Sequence, residues 1–491
     1  MFFRKFDSSR YYTRSNAYVF LSALFSYIFV YGFELTHFTL SIDEEDVNNF
    51  DQTIRFGRWG HAYLKDIVFP EPYVPFYSLA LGILFLSASS FLASKFLKLE
   101  KTLAISFVIM LSGFPQMAYQ FEFSNQAETI SLAILFSVSS LFMLNSITTS
   151  KAIAFIVLNI ISLSIYQSVF LYSASLLLIS LTLRAVKGEV NFRESITIII
   201  IYTMLAVISI LINSFLAKAI ANHYGFQVSN LSQMVGWGRK TPHEVIVNIL
   251  IFIKSFFNGT AKHGLNSFAF TLVPVVLLTA HAVKCKKNVL LVVTLSLVSI
   301  LSAFLLSIAL GSVMAPRTLI QMPVIFAGLF ACMAYVIKSR HAEIGISIIF
   351  LCVGACASSK LFYSDYMARE SDKIVATQIV QTIYNKYPEF DVMNTPVFFY
   401  GSYTPPNNFR TSDFDIFGVS FFSWDGGNNK RMYRYFSAAN IANLKKPDSN
   451  QVEMARRDGS TLPSWPNRGS VSMVNGVVIV KLSDRLSPYN R

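Results

Sequence analysis

Long uncharged hydrophobic runs recur along most of this chain. Because a helix rises about 1.5 Å per residue, a run of about 20 apolar residues is long enough to cross a bilayer. Nine runs predict single crossings: 15–33, 73–94, 102–121, 129–150, 195–217, 264–283, 288–311, 318–337 and 344–359. The run 152–183 is longer, and Tyr166-Gln167-Ser168 near its middle predicts two short helices joined by a tight turn. The pattern therefore predicts an α-helical polytopic membrane protein with about 11 transmembrane helices.

The connections between these runs predict the orientation of the chain. Basic residues gather in alternate connections, as in the groups Lys95, Lys98, Lys101 and Arg184, Lys187, Arg193. The positive-inside rule then places the N-terminus in the cytoplasm, and eleven crossings place the C-terminus outside. An additional crossing at the shorter apolar stretch 245–257 would invert every later connection. This stretch is therefore expected to lie flat on the outer interface as an amphipathic helix. No small-residue cleavage site follows the first run, so we expect it to stay as an anchor.

The composition changes after Lys360. Residues 360–491 carry 28 charged side chains together with turns rich in Pro, Gly and Asn. The stretch 371–384 has helical spacing of apolar residues, and 397–400 is typical of a strand. Asn475-Gly476 lies between two alternating segments, which strongly favours a hairpin over 470–482. We therefore predict a transmembrane bundle over 1–360, with an external loop 35–72, and a small C-terminal α/β domain over 361–491.

Overall composition agrees with this class and excludes others. The 491 residues are 53% hydrophobic and 15% aromatic, which is typical of an integral membrane protein rather than a soluble enzyme. The net charge of +13 comes largely from residues at the ends of the runs, so no nucleic-acid partner is expected. The four cysteines form no CxxC pair and the histidines no HxxxH motif, so neither disulfides nor a metal are assigned. Walker and dinucleotide motifs do not occur in a credible context, which argues against nucleotide-dependent chemistry and assigns no cofactor.

Candidate chemistry gathers in the first external loop. The acidic run Asp43-Glu44-Glu45-Asp46 is followed by Arg58 among aromatic residues and glycines. A carboxylate can accept the proton of a sugar hydroxyl that attacks an anomeric carbon, and an arginine can hold a phosphate through charge-assisted hydrogen bonds. The spacing leaves all four carboxylates as candidates for the base. The plain alternative is that the acidic run is a solvated loop cap.

Further polar residues fall on the same predicted face of the membrane, among them Glu122 and Arg317. Arg317 interrupts an uncharged stretch between two runs, where it either extends to the membrane interface or binds phosphate. Cytoplasmic nucleotide sugars do not reach the outer face. A sugar transferred there would need another donor, and a lipid-phosphate sugar fits the membrane setting.

Motifs at both ends of the chain resemble a known group. They are 41–44 (SIDE), 57–59 (GRW), 421–428 (FFSWDGGN), 462–466 (LPSWP), 469–471 (GSV) and 478–482 (VIVKL). The last three form the most specific part, while the middle helices match only in hydropathy. In these motifs the chain resembles the phage and bacterial O-antigen glucosyltransferase family, sometimes called glucosyltransferase II.

The resemblance implies a C-type (GT-C) membrane glycosyltransferase of the bacterial inner membrane with a periplasmic C-terminal domain. Such enzymes move glucose from undecaprenyl-phosphate-glucose to a sugar of the O-antigen, with inversion, which modifies lipopolysaccharide and serotype. Carried over by position, Asp43 and Glu44 would be the catalytic pair, Arg58 a phosphate-binding or loop-ordering residue and Lys481 a tail residue near the site. Glu45 and Asp46 make the cluster denser than a pair. From their places in the sequence, we expect these two residues, Glu122 and Arg317 to bind substrate.

Two other readings of the pattern stay open. A transporter or flippase of a lipid-linked sugar would explain the membrane helices equally well, with the acids binding substrate or protons. It does not explain a folded external tail. An O-antigen polymerase or ligase would also act outside, but it would join glycans rather than add single sugars.

Overall fold

The computed structural model describes residues 13–46, 48–69, 72–229, 235–285 and 288–490. It contains two compact units. The first comprises the chain through Thr36 together with Asn49–Ser359, and the second comprises His37–Asn48 together with the chain from Lys360 onward. The hydropathy pattern predicts one external loop over 35–72, whereas the structure divides that stretch between the units. Burial of Ile42 in the hydrophobic core of the second unit accounts for the division.

The first unit is built of helices. Its α-helices are Arg14–Thr36, Phe50–Arg55, Trp59–Tyr63, Pro75–Phe96, Lys101–Gly113, Ala118–Phe121, Ala127–Leu141, Thr149–Ile165, Phe170–Lys187, Phe192–His223, Pro242–Ser255, Leu272–Lys284, Val289–Ser302, Leu305–Leu310 and Met322–Ile337. Among the residues that the structure describes, eight helices are long and apolar enough to cross a membrane, and one of these is the helix Arg340–Lys386 described below. Three shorter apolar helices, Thr149–Ile165, Val289–Ser302 and Met322–Ile337, lie at other predicted runs. A membrane protein is thus supported, and the number of eleven crossings stays a prediction.

Two difficult stretches of the hydropathy pattern resolve into separate helices. The run 152–183 breaks where expected, because Tyr166 adopts an extended conformation between Thr149–Ile165 and Phe170–Lys187. The stretch 245–257 lies mostly in the helix Pro242–Ser255, whose 14 residues are capped by the Thr241 side chain. At about 21 Å this helix is shorter than the hydrocarbon core of a bilayer. Its position on the outer interface stays a prediction.

The last long helix, Arg340–Lys386, spans 47 residues. The sequence predicts a crossing at 344–359 and a separate helix at 371–384, whereas the structure joins the two. Residues 355–387 contain neither Gly nor Pro, so nothing in the local sequence ends the helix. The absence of a break was the better guide here than the change in composition at Lys360.

Gly354 marks a close contact between two helices of the first unit. A Cβ atom at Gly354 would lie 1.6 Å from the carbonyl oxygen of Gly113, which belongs to the helix Lys101–Gly113. Because the obstacle is backbone, no side-chain movement can relieve it. Gly354→Ala should therefore force the helices apart and destabilise the protein by about 1–3 kcal/mol or more, measured as a lower thermal unfolding midpoint of detergent-purified protein.

Gly345 provides the matched control for this substitution, since it lies on the same helix and a Cβ atom added there would meet nothing within 4 Å among the described residues. Gly345→Ala should leave the unfolding midpoint unchanged or raise it, because alanine is the better helix former by up to about 1 kcal/mol. Equal midpoints for the two variants would contradict the close contact between Gly354 and Gly113.

The second unit contains a three-stranded sheet with strands β1 (Val397–Tyr400), β2 (Val471–Val474) and β3 (Val477–Lys481). Strand β3 is central, pairing in parallel with β1 and antiparallel with β2. Asn475 and Gly476 have φ of +49° and +77°, as the two-residue turn of a hairpin requires. The predicted strand and hairpin are therefore confirmed. Helices Asn429–Ala438 and Ser449–Gly459 complete the unit, whose core also includes Ile379 and Ile383 of the long helix.

Candidate active site

The acidic segment, residues 41–46, belongs to the second unit and is anchored there by several contacts. Ile42 is buried in the core, and the backbone N–H of Ser41 donates to Glu44 Oε2 at 3.0 Å. The Ser41 hydroxyl donates to Asp365 Oδ2 at 2.5 Å. Glu44 is only 1% exposed, so its carboxylate serves the local fold of the segment rather than facing solvent.

Glu45 is also buried, and both of its carboxylate oxygens have partners. Oε1 accepts a hydrogen bond from Arg431 Nη1, and Oε2 accepts one from the backbone N–H of Asp43 at 2.7 Å. Burial raises the pKa of the Glu45 carboxyl, and the charge of Arg431 offsets part of that rise. Glu45 thus links an arginine to the backbone of Asp43.

Asp43 differs from its neighbours in exposure and conformation. Its side chain is 50% exposed, and Oδ1 accepts a hydrogen bond from Arg431 Nη2 at 2.9 Å. Throughout the described ranges, no donor binds its second oxygen. Its φ of +79° lies in the left-handed region, which is strained for residues other than Gly, Asn and Asp. Of the four carboxylates that the sequence leaves open, Asp43 is therefore the one best placed to accept a proton from a bound molecule.

Asp46 is held by an arginine of its own. Its Oδ2 lies 2.6 Å from Arg434 Nη1, and its side chain is partly buried. The sequence patterns did not single out Arg431 and Arg434, although these residues lie three and six positions after the motif 421–428. Being three residues apart on the helix Asn429–Ala438, they share one helical face, and that spacing was the available signal.

Lys481 lies elsewhere in the second unit, on strand β3. Its side chain is almost completely buried, and Nζ donates to the carbonyl oxygen of Ser460 at 2.9 Å and pairs with Asp484 at 2.7 Å. The aromatic ring of Tyr400 lies 5.7 Å from Nζ. These contacts join Lys481 to the sheet and its surroundings, and none of them involves the acidic segment.

In the first unit, Arg58 precedes the short helix Trp59–Tyr63 and lies against aromatic rings. Its guanidinium carbon is 4.5 Å from the ring centroid of Tyr166, and Nε is 3.4 Å from Gln167 Oε1. Burial lowers the pKa of Arg58, and the positive charge of Arg317 lowers it further. Two of the predicted residues, 259 positions apart in the chain, are thus brought close enough for their charges to interact.

Arg317 lies in the turn Pro316–Thr318, with its guanidinium 5.1 Å from the ring centroid of Phe123. Glu122, directly before that phenylalanine, is buried at the end of the short helix Ala118–Phe121. Among the residues that the structure describes, no carboxylate pairs with Arg58 or Arg317. Two half-buried guanidinium groups with like charge and no carboxylate partner form an environment that favours an anion such as phosphate.

Unlike Arg58 and Arg317, the nearby Lys65 has a carboxylate partner among the described residues of the first unit. Lys65 pairs with Glu128 at 2.9 Å, and both side chains are buried. His61 Nδ1 lies 2.8 Å from the hydroxyl of Thr129, and burial lowers the pKa of His61 to about 3, so its ring is neutral. Here a cation is matched by a carboxylate within the protein, which leaves no charge to be satisfied by a ligand.

Comparison with known proteins identifies the family. The model of the family described as glucosyl transferase GtrII matches residues 32–334, a stretch that contains the acidic segment, Arg58, Glu122 and Arg317. The match ends before the tail motifs that also contribute to the resemblance seen in the sequence. No curated protein and no solved structure matches the chain significantly. Because the matched stretch is more than half of the chain, the protein belongs to the glucosyl transferase GtrII family.

Proposed function

We propose that this glucosyltransferase moves glucose from undecaprenyl-phosphate-glucose to a sugar hydroxyl of the O-antigen at the periplasmic face of the inner membrane, with inversion. Family membership implies a glucosyltransferase. The donor, the acceptor, the periplasmic face and the inversion are our proposals. The observation that carries the choice of donor is the pair of arginines Arg58 and Arg317, which suits a phosphate in a chain with helices long enough to span a membrane. The acceptor, the periplasmic face and the inversion rest on the resemblance of the sequence motifs.

In the proposed reaction the acceptor hydroxyl attacks the anomeric carbon of the glucosyl phosphate. A new carbon–oxygen bond forms on one face of that carbon while the bond to the phosphate oxygen breaks on the other. The bonding electron pair leaves with undecaprenyl phosphate. The acceptor proton passes to Asp43, whose second carboxylate oxygen has no protein donor among the described residues.

Each group has a distinct task in this scheme. Asp43 acts as general base, a role that contributes about 10²- to 10⁴-fold to a rate. Arg58 and Arg317 bind the phosphate and stabilise the negative charge that develops as it departs. The structure holds Glu44, Glu45 and Asp46 in contacts within the second unit, so we assign them to shaping the acidic segment rather than to proton transfer.

Transfer by purified full-length protein in detergent tests the proposal. The assay supplies undecaprenyl-phosphate-glucose and an O-antigen oligosaccharide, and mass spectrometry follows the acceptor. One added hexose per acceptor is expected, while a nucleotide sugar in place of the lipid donor should give no product. A flippase would form no glycosidic bond, and a polymerase or ligase would produce joined repeats. Either result, or transfer from the nucleotide sugar alone, would overturn the proposal.

A further inference from the structure

Arg431 contacts three carboxylates at once within the second unit. Its Nε lies 2.8 Å from Asp425 Oδ2, Nη1 lies 2.5 Å from Glu45 Oε1, and Nη2 lies 2.9 Å from Asp43 Oδ1. All three nitrogens of the guanidinium are therefore engaged. Only arginine can do this, because its planar fork presents donors in several fixed directions whereas a lysine ammonium is a single point of charge.

The backbone around Arg431 is itself fixed to the sheet. Asn429, two residues earlier, accepts a hydrogen bond from the N–H of Phe399 and donates one to its carbonyl, each at 2.9 Å. The hydroxyl of Tyr433, two residues later, donates to the carbonyl of Val397 at 2.7 Å. Both partners lie on strand β1. The helix that carries Arg431 is thus held on each side of that residue, so the guanidinium has a defined position.

Arg431 acts on Asp43 along two routes. It binds the Asp43 side chain directly, and it also binds Glu45, which accepts a hydrogen bond from the Asp43 backbone N–H. The second route fixes the backbone of a residue whose φ of +79° lies in the sparsely populated left-handed region. With Oδ1 on Arg431, the orientation of Oδ2 is determined as well. One arginine therefore fixes both the backbone conformation of Asp43 and the orientation of its carboxylate.

We propose that Arg431 is the positioning residue for Asp43, a role that rests on the proposed function. Arg434 provides the internal comparison, since it lies one turn further on the same helix and contacts Asp46 instead. If the arginines only anchored the acidic segment, loss of Arg431 and loss of Arg434 would lower the activity similarly. Positioning of Asp43 requires that only the loss of Arg431 does so.

The test uses full-length protein carrying Arg431→Gln, Arg431→Lys or Arg434→Gln. Arg457→Gln is the control, because the Arg457 side chain is 74% exposed and, among the residues that the structure describes, pairs only with the adjacent Asp458. We expect Arg431→Gln to lower kcat by about 10²-fold, since a slightly misplaced group costs that much. Arg431→Lys should not restore the rate. The KM for the lipid donor should stay within about 3-fold, because donor binding is assigned to the first unit. Arg434→Gln and Arg457→Gln should retain kcat within the same margin.

Amide hydrogen exchange over residues 37–48 provides a readout that does not depend on activity. Arg431→Gln should speed exchange at Asp43, whose N–H is bonded to Glu45, whereas Arg457→Gln should not. Normal kcat in Arg431→Gln, or equal losses in Arg431→Gln and Arg434→Gln, would overturn the positioning role alone. A wild-type protein without any transfer activity would overturn the proposed function and this role with it, even if the exchange result were as expected.

Discussion

Replacing Asp43 with asparagine is expected to lower glucosyl transfer at least about 10²-fold, which corresponds to about 3 kcal/mol of lost transition-state stabilisation. The amide cannot take the proton of the acceptor hydroxyl. The substitution is otherwise conservative, because asparagine tolerates the φ of +79° at this position and its oxygen can still accept the hydrogen bond from Arg431. Purified variant and wild type would be compared in the detergent assay with lipid donor and acceptor oligosaccharide.

Asp46→Asn is the matched control for this prediction. It removes an equal charge from the same segment and from contact with an equivalent arginine, yet it should leave transfer within a few-fold. Glu44→Gln separates the two members of the acidic pair that the resemblance indicates. Since Glu44 is buried and bonded to Ser41, its loss should lower the unfolding midpoint more than it lowers kcat. Full activity of Asp43→Asn would remove this residue from the mechanism.

Loss of either Arg58 or Arg317 is the second large effect that we expect. Arg58→Gln and Arg317→Gln should each reduce kcat/KM for the lipid donor by about 10²- to 10³-fold, as for other groups that stabilise developing charge. The physical reason is that both guanidinium groups lack a carboxylate partner among the described residues and are available for a phosphate. Initial rates over a range of undecaprenyl-phosphate-glucose concentrations measure this loss.

Arg55, three residues before Arg58, provides a control for these substitutions. Arg55 lies over the ring of Phe226 at 4.0 Å and is exposed, so Arg55→Gln removes a stacked arginine without touching the pair. It should retain nearly full activity. A loop-ordering role for Arg58 predicts instead a lower unfolding midpoint with a matching loss of folded protein. Unaltered donor kinetics in both Arg58→Gln and Arg317→Gln would disprove phosphate binding by this pair.

Sequence patterns predicted those parts of the fold that are determined by residues close together in the sequence. The apolar runs indicate membrane helices because length and hydropathy are local properties, and the Asn475-Gly476 dipeptide indicates its hairpin because few residues accept positive φ. The break at Tyr166 was equally visible. The continuity of Arg340–Lys386 was missed because the change in composition at Lys360 suggested a boundary, although no residue there ends a helix.

Long-range pairing was beyond the reach of such patterns. Arg431 is more than 380 positions from Asp43, and no periodicity or motif relates the two, so the spacing alone left all four carboxylates as candidates for the base. The burial of Glu44 and Glu45, the partial burial of Asp46 against Arg434 and the greater exposure of Asp43 separate them. The proximity of Arg58 to Arg317 is of the same kind. The sequence identified both arginines individually but could not indicate that their charges interact.

That proximity also bears on how the protein should be handled at the bench. Holding two like charges close together costs folding free energy, and a bound anion that relieves the cost stabilises the folded chain by mass action. Detergent extraction that strips away every phosphate-bearing lipid should therefore yield the most heat-sensitive preparation. Supplementing buffers with a prenyl phosphate should lengthen its useful lifetime in solution.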